Sequence, residues 1–167
     1  MGKVIRLVAL GAVVFVFLST TPAEAQPPPA DHQILTQEGS PLTIFSYEAR
    51  YQPRRSSQRE GIRHELNYRN TTGRRVVAVQ FGLLSFNIFN EFQDRLGGFS
   101  IEDIDPLGVT RGTWLASALA EAAFYTGVAY VDKVRFEDGE IWVADEREIL
   151  DQLREIEEGF DAEALGR

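Results

Sequence analysis

The sequence predicts a mainly β fold: an antiparallel β-sandwich of about seven strands followed by one C-terminal amphipathic helix. Three observations carry that expectation. Residues 126–145, TGVAYVDKVRFEDGEIWVAD, read as a β-hairpin closed at Asp138-Gly139. Residues 42–52 and 62–69 alternate in polarity, and residues 76–89 form a long apolar run rich in β-branched and aromatic side chains. Beyond Asp145 the apolar period changes from two to that of a helix.

The first 25 residues carry Lys3 and Arg6, an apolar run over 7–18, and Ala23-Glu24-Ala25, a small-x-small cleavage pattern. This is the layout of a secretory signal peptide; its apolar core is short of the roughly 20 residues that a spanning helix needs. Cleavage there leaves 142 residues, enough for one domain with a hydrophobic core. Fifteen basic and 24 acidic residues remain, a net charge of −9 that speaks against nucleic acid as a partner. The absence of cysteine excludes disulfides, thiol chemistry and a lipid anchor on Cys. The expected organisation is a signal peptide over 1–25, a proline-rich flexible linker over 26–40, the sandwich with its helix over 41–160, and a frayed tail over 161–167. An exported protein, periplasmic or secreted and without a membrane span after cleavage, follows from it.

In residues 42–52 the side bearing Phe45, Tyr47, Ala49 and Tyr51 is the expected inner face, opposite Leu42, Ile44, Ser46 and Glu48. A polar connection over 53–59 leads to Ile62, His64, Leu66 and Tyr68, which alternate with Arg63, Glu65, Asn67 and Arg69 as a second antiparallel strand. Asn70-Thr71-Thr72-Gly73 has turn composition, and it also matches an N-x-T glycosylation acceptor. The apolar run 76–89 fits a central strand buried on both faces, or two strands with a bend near Gly82. Residues 90–98 form a polar loop, and residues 113–117 are read as strand despite the Ala-rich stretch that follows.

In the hairpin, Val128, Tyr130, Val134 and Phe136 share one face, with Asp132 as the polar exception. A two-residue turn at Asp138-Gly139 would put Phe136 opposite Ile141 and Val134 opposite Val143, leaving Trp142 outward across from Arg135. A three-residue loop with a glycine bulge would instead set Trp142 beside Val134 and Glu140 across from Phe136. The first register segregates polarity better and is the expected one. Asp145 is then placed to cap a helix whose Ile149, Leu150, Leu153, Ile156 and Phe160 recur on one side.

Few residues suggest chemistry. Glu102, Asp103 and Asp105 supply oxygen ligands in one loop, but without the spacing of a calcium-binding loop. His32 and His64 lack further zinc ligands, and Ser85 and Ser100 lack a nucleophile-elbow sequence. No catalytic, cofactor-binding or metal-binding residue is therefore assigned. Charge is more telling: eight arginines fall between residues 50 and 75, against only Glu60 and Glu65. Arg54, Arg55 and Arg59, with the outward Trp142, form the expected interaction surface for an unknown protein, an anionic envelope component or the acidic helix of a second copy. Arginines that merely keep an edge strand soluble are the plainer account.

The segments Val76-Val77-Ala78-Val79-Gln80-Phe81-Gly82, Phe86-Asn87-Ile88-Phe89 and YVDKVRFEDGEIW over 130–142 resemble small bacterial exported immunoglobulin-like domains, with FxLYD-like domains the named comparison. The likeness spans residues 42–142. It implies an immunoglobulin-like antiparallel β-sandwich and an extracytoplasmic setting, and brings no catalytic residues. The functional expectation is a non-catalytic interaction or structural module of the cell envelope. The alternatives are an extracytoplasmic hydrolase, metal-dependent or carboxylate-based, at the 102–105 loop and a carrier of a small apolar ligand.

Overall fold

The computed structural model describes residues 31–117 and 124–166. The expected signal peptide, residues 26–30 of the expected linker and residues 118–123 of the Ala-rich stretch lie outside the described residues. Eight strands and one helix follow in order: β1 Asp31–Ile34, β2 Leu42–Gln52, β3 Gly61–Asn70, β4 Val76–Phe86, β5 Phe92–Ser100, β6 Val109–Ala116, β7 Thr126–Phe136, β8 Ile141–Val143 and α1 Glu146–Ile156. A short 3-10 helix, Ala162–Leu165, ends the chain's regular structure. The strands form a three-stranded sheet, β2-β3-β6, and a five-stranded sheet, β1-β7-β4-β5, with β8 on β7. All pairings are antiparallel except that of β1 with β7. The β-sandwich with a C-terminal helix is thus present, and no helix among the described residues is long and apolar enough to cross a membrane.

Two cores hold the layers together. Between the sheets lie Leu42, Ile44, Tyr47, Ile62, Leu66, Tyr68, Val79, Phe81, Leu83, Val131, Val134 and Phe136. Between the five-stranded sheet and α1 lie Leu84, Phe86, Val128, Tyr130, Ile149, Leu150, Leu153 and Phe160. The run 76–86 is one strand, buried on both faces because Phe81 and Leu83 point to the sandwich while Leu84 and Phe86 point to the helix. Gly82 does not bend it. It pairs with Tyr130, whose ring lies against it, and a Cβ there would come within 2.1 Å of that ring.

Bulges account for two departures from the expected faces. In β2 the register shifts between Ile44 and Ser46, so Leu42 and Ile44 face inward before it and Tyr47 and Ala49 after it. Phe45 is thereby 54% exposed rather than core. In β7 the extra residue is Asp132, between the pairs Phe81/Val131 and Gln80/Lys133. Val128 and Tyr130 therefore face α1, whereas Val134 and Phe136 face the sandwich. Asp132 itself is buried and paired with Arg95 at 3.2 Å.

The hairpin register is the one the sequence argument disfavoured. Val134 pairs with Trp142 and Arg135 with Ile141, and the Phe136 amide donates to the Glu140 carbonyl at 2.9 Å. The loop is therefore three residues long, with Gly139 at φ 92° in the left-handed position that such a loop requires. Packing decides the matter. This register sends the large Trp142 ring against both cores and leaves only the smaller Ile141 and Val143 half exposed.

The ends of the domain are also more ordered than expected. Residues 31–34, assigned to a flexible linker, form a strand on β7, and the next residue, Leu35, is buried under α1. Gln152 then holds Thr36 in both directions, accepting from its amide at 3.2 Å and donating to its carbonyl at 2.8 Å. In the expected tail, Asp161 caps the 3-10 helix and Leu165 is fully buried. The cap of α1 is as expected: the Asp145 carboxylate accepts from the amides of Arg147 and Glu148. Glu148 does not close a capping box but accepts from the amide of Glu38 at 3.1 Å.

Candidate functional site

The β2–β3 hairpin is built by alternation on a sheet that the described residues cover on one face only. Its inner positions, Tyr47, Ala49, Ile62, His64, Leu66 and Tyr68, are buried, which leaves the outer positions to polar side chains. The strands pair as far as Gln52 and Gly61, and residues 53–60 are all exposed. Beyond Pro53, Arg55 and Gln58 exchange backbone hydrogen bonds at 3.2 Å each, pinching Ser56-Ser57 into a turn. Gln52 Nε2 donates to the Arg59 carbonyl at 2.7 Å, and Tyr51 Oη to Glu60 Oε1 at 2.5 Å, so the tip is braced from below.

This tip carries Arg54, Arg55 and Arg59, the three arginines singled out in the sequence. All three are exposed, and none forms an ion pair among the described residues. Arg74 and Arg75 behave differently. Arg74 pairs with Asp138 at 2.5 Å and Glu140 at 2.9 Å, with its guanidinium carbon 3.9 Å from the centre of the Phe136 ring. The two carboxylates, Glu140's first, raise the pKa of Arg74, while the Glu140 amide and then Arg74 hold the Asp138 carboxyl below its ordinary range. Arg75 pairs with Asp105 at 3.0 Å. At that end of the sheet Arg74 and Arg75 are thus neutralised and Arg69 alone stands exposed without an ion pair among the described residues, whereas three unpaired arginines gather at the hairpin tip.

Between those ends, Glu65 gathers one arginine from each strand of the three-stranded sheet. It accepts from Arg63 Nε at 2.6 Å, from Arg50 Nη2 at 3.4 Å and from Arg111 Nη2. The hydrogen bond from Arg63, with those from Arg111, holds the Glu65 carboxyl below its usual range even though partial burial pushes the other way. Sequence reasoning missed this hub. Its three partners come from different strands, and only the register brings them together.

Trp142 does not belong to this surface. It stands across from Val134, not Arg135, and packs against the cores. The 102–105 loop does not converge on a site: Glu102 accepts from Thr110 at 3.4 Å, Asp105 pairs with Arg75 and Asp103 is exposed. Among the described residues there is no group of three or more His, Asp or Glu side chains able to hold a metal.

A second polar cluster is internal. The Tyr47 hydroxyl lies 2.8 Å from Nδ1 of His64, and His32 Nε2 donates to the Ala49 carbonyl at 2.7 Å. His64 is fully buried with no partner on Nε2 among the described residues, and burial, helped by the charge of His32, lowers its pKa to about 4. Burial likewise pushes the Tyr47 phenol up. The neutral imidazole is thus sealed between the sheets. Alternation alone put Tyr47 and His64 inward, but nothing in the sequence announced that β1 would bring His32 to them.

With this geometry in view, no protein-family profile and no curated protein matches the chain. Among solved structures it is similar to a hypothetical protein from Peptoclostridium difficile 630, at 9% identity and a TM-score of 0.52, over 70% of this chain and 92% of that one. That likeness is one of fold alone. A Northeast Structural Genomics Consortium target aligns at 13% identity and a TM-score of 0.40, over 62% of this chain and 80% of that one.

Proposed function

We propose that this chain is an exported, non-catalytic interaction module that docks onto an anionic component of the cell envelope through the tip of its β2–β3 hairpin. One observation carries the reading: Arg54, Arg55 and Arg59 project together, exposed and without an ion pair among the described residues, on a chain whose net charge is −8. At the other end of the sheet Arg74 and Arg75 are matched by acids, whereas the tip gathers three unmatched arginines within six residues, more than keeping an edge soluble requires. Export rests on Lys3, Arg6, the apolar run and Ala23-Glu24-Ala25. The immunoglobulin-like reading finds support in the strand order. β2-β3-β6 and β5-β4-β7-β8 correspond to the A-B-E and C′-C-F-G connections of such a sandwich, with β1 added beside β7.

The test uses residues 26–167 and dextran sulfate as the probe, across a salt titration. The parent protein is expected to bind more weakly as salt rises, because exposed charges are screened beyond about 8 Å at physiological ionic strength. The Arg54→Gln, Arg55→Gln, Arg59→Gln triple variant is expected to lose about tenfold in affinity at low salt. Equal binding by the two proteins would remove the hairpin from the function.

A further inference from the structure

At the base of the tip, on the outer side of the sheet, is a shallow groove of about 230 Å³ lined by Arg50, Tyr51, Gln52, Arg55, Gln58 and Arg63 with no carboxylate among its walls. Arg50 and Arg63 are direct cross-strand partners. Like charges directly opposite on neighbouring strands destabilise a sheet, yet here a third arginine, Arg55, is added above them. Glu65 offsets part of that repulsion from outside the groove and in doing so fixes the two guanidinium groups. It engages Nε of Arg63 and Nη2 of Arg50, and Arg50 Nη1 is held in turn by Glu48 at 3.3 Å. With Arg63 held through Nε, its terminal nitrogens are left for a ligand, and the Arg55 side chain has no ion pair among the described residues.

From this arrangement we infer that the groove is a subsite for one tetrahedral oxyanion, a phosphate or sulfate group, bound by Arg50, Arg55 and Arg63, with Glu65 as a positioning residue. This rests on the anionic-partner reading above and names the chemistry recognised. Guanidinium forks match the paired oxygens of such a group, which a diffuse positive surface would not do. The size agrees: the groove falls below the 300–1,000 Å³ or so of pockets that enclose a whole drug-sized ligand, so it takes one charged group of a larger molecule. Arg54 and Arg59, in a second hollow on the other side of Arg55, would meet the next charge along.

The experiment is an NMR titration of residues 26–167 with inorganic phosphate, sulfate and chloride at constant ionic strength. Phosphate and sulfate are expected to move the amides of residues 50–63 saturably, beyond anything chloride does. Arg63→Gln and, separately, Arg55→Gln should weaken that binding roughly fivefold; Arg55 is exposed at the tip, so its variant serves even if Arg63→Gln unfolds. Glu65→Gln is the sharpest arm. It makes the surface more positive, so diffuse attraction would tighten binding, whereas loss of positioning would weaken it. Tightening, or equal effects of phosphate and chloride, overturns the subsite. Adding phosphatidylglycerol vesicles separates the sources of the group: stronger binding than to free phosphate identifies a lipid headgroup, and equal or weaker binding a soluble or polymer phosphate. If dextran sulfate binding survives Arg63→Gln but not the triple tip variant, the subsite falls and the docking reading stands; if both variants bind as the parent does, the docking reading falls too.

Discussion

The two sheets of this sandwich solve different burial problems. The five-stranded sheet is covered on one face by its partner sheet and on part of the other by α1, so β4 and β7 contribute apolar side chains to two cores. Among the described residues the three-stranded sheet is covered on one face only, and its other face carries Arg50, Arg63, Arg111 and Glu65. A side chain in β4 is therefore constrained by packing on either side. One on the outer face of β3 answers mainly to its charged neighbours, and that face is where recognition chemistry has room to accumulate.

The comparison breaks most readily at Gly82. With Tyr130 lying 2.1 Å from where its Cβ would be, Gly82→Ala must displace the ring and open the core between the sheet and α1. A loss of at least about 3 kcal/mol is expected in denaturant unfolding; a loss below 1 kcal/mol would mean that the ring is not held there. Next comes the pH dependence of stability. His64 titrates near 4 in the folded protein against its ordinary 6.5, so the unfolded chain takes up a proton that the folded chain refuses. Its contribution is complete above pH 6.5 and is lost as pH falls toward 4, by up to about 1.4 kcal/mol per pH unit. Glu65, with its depressed pKa, adds loss in the same direction at lower pH. Replacing His64 with Gln should flatten the slope between pH 6.5 and 4, and an unchanged slope would assign it to other groups. The smallest effect belongs to the outer face of the three-stranded sheet: the triple tip variant that weakens docking should change unfolding stability by less than about 0.5 kcal/mol. A larger change would make those arginines structural.

The same asymmetry explains what the sequence could reveal. Where one face is bare, polarity alternates, and Ile62, His64, Leu66 and Tyr68 could be read inward letter by letter. Where both faces are buried polarity no longer marks the face, and the sequence groups Val128 and Tyr130 with Val134 and Phe136 although the Asp132 bulge sends the pairs to different cores. An Asp-Gly pair fits both a two-residue turn and a three-residue loop, and the choice fell to the packing of Trp142. The strand at 31–34 has no period of its own; its place depends on β7, far along the chain. At the candidate site, Arg54, Arg55 and Arg59 stood out by charge density, whereas the Glu65 hub and the opposed pair Arg50 and Arg63 needed a register to become visible.

The seating of the N-terminal strand has a kinetic consequence. Its neighbour Gln37 reaches Val131 across 94 residues, and Thr36 is tied to Gln152 across 116. Contacts at such separation form only after a large loop has closed, and they add little stability until β7 and α1 are already in place. The strand synthesised first therefore finds its partners only once β7 and α1 have been made, so its seating waits for nearly the whole polypeptide.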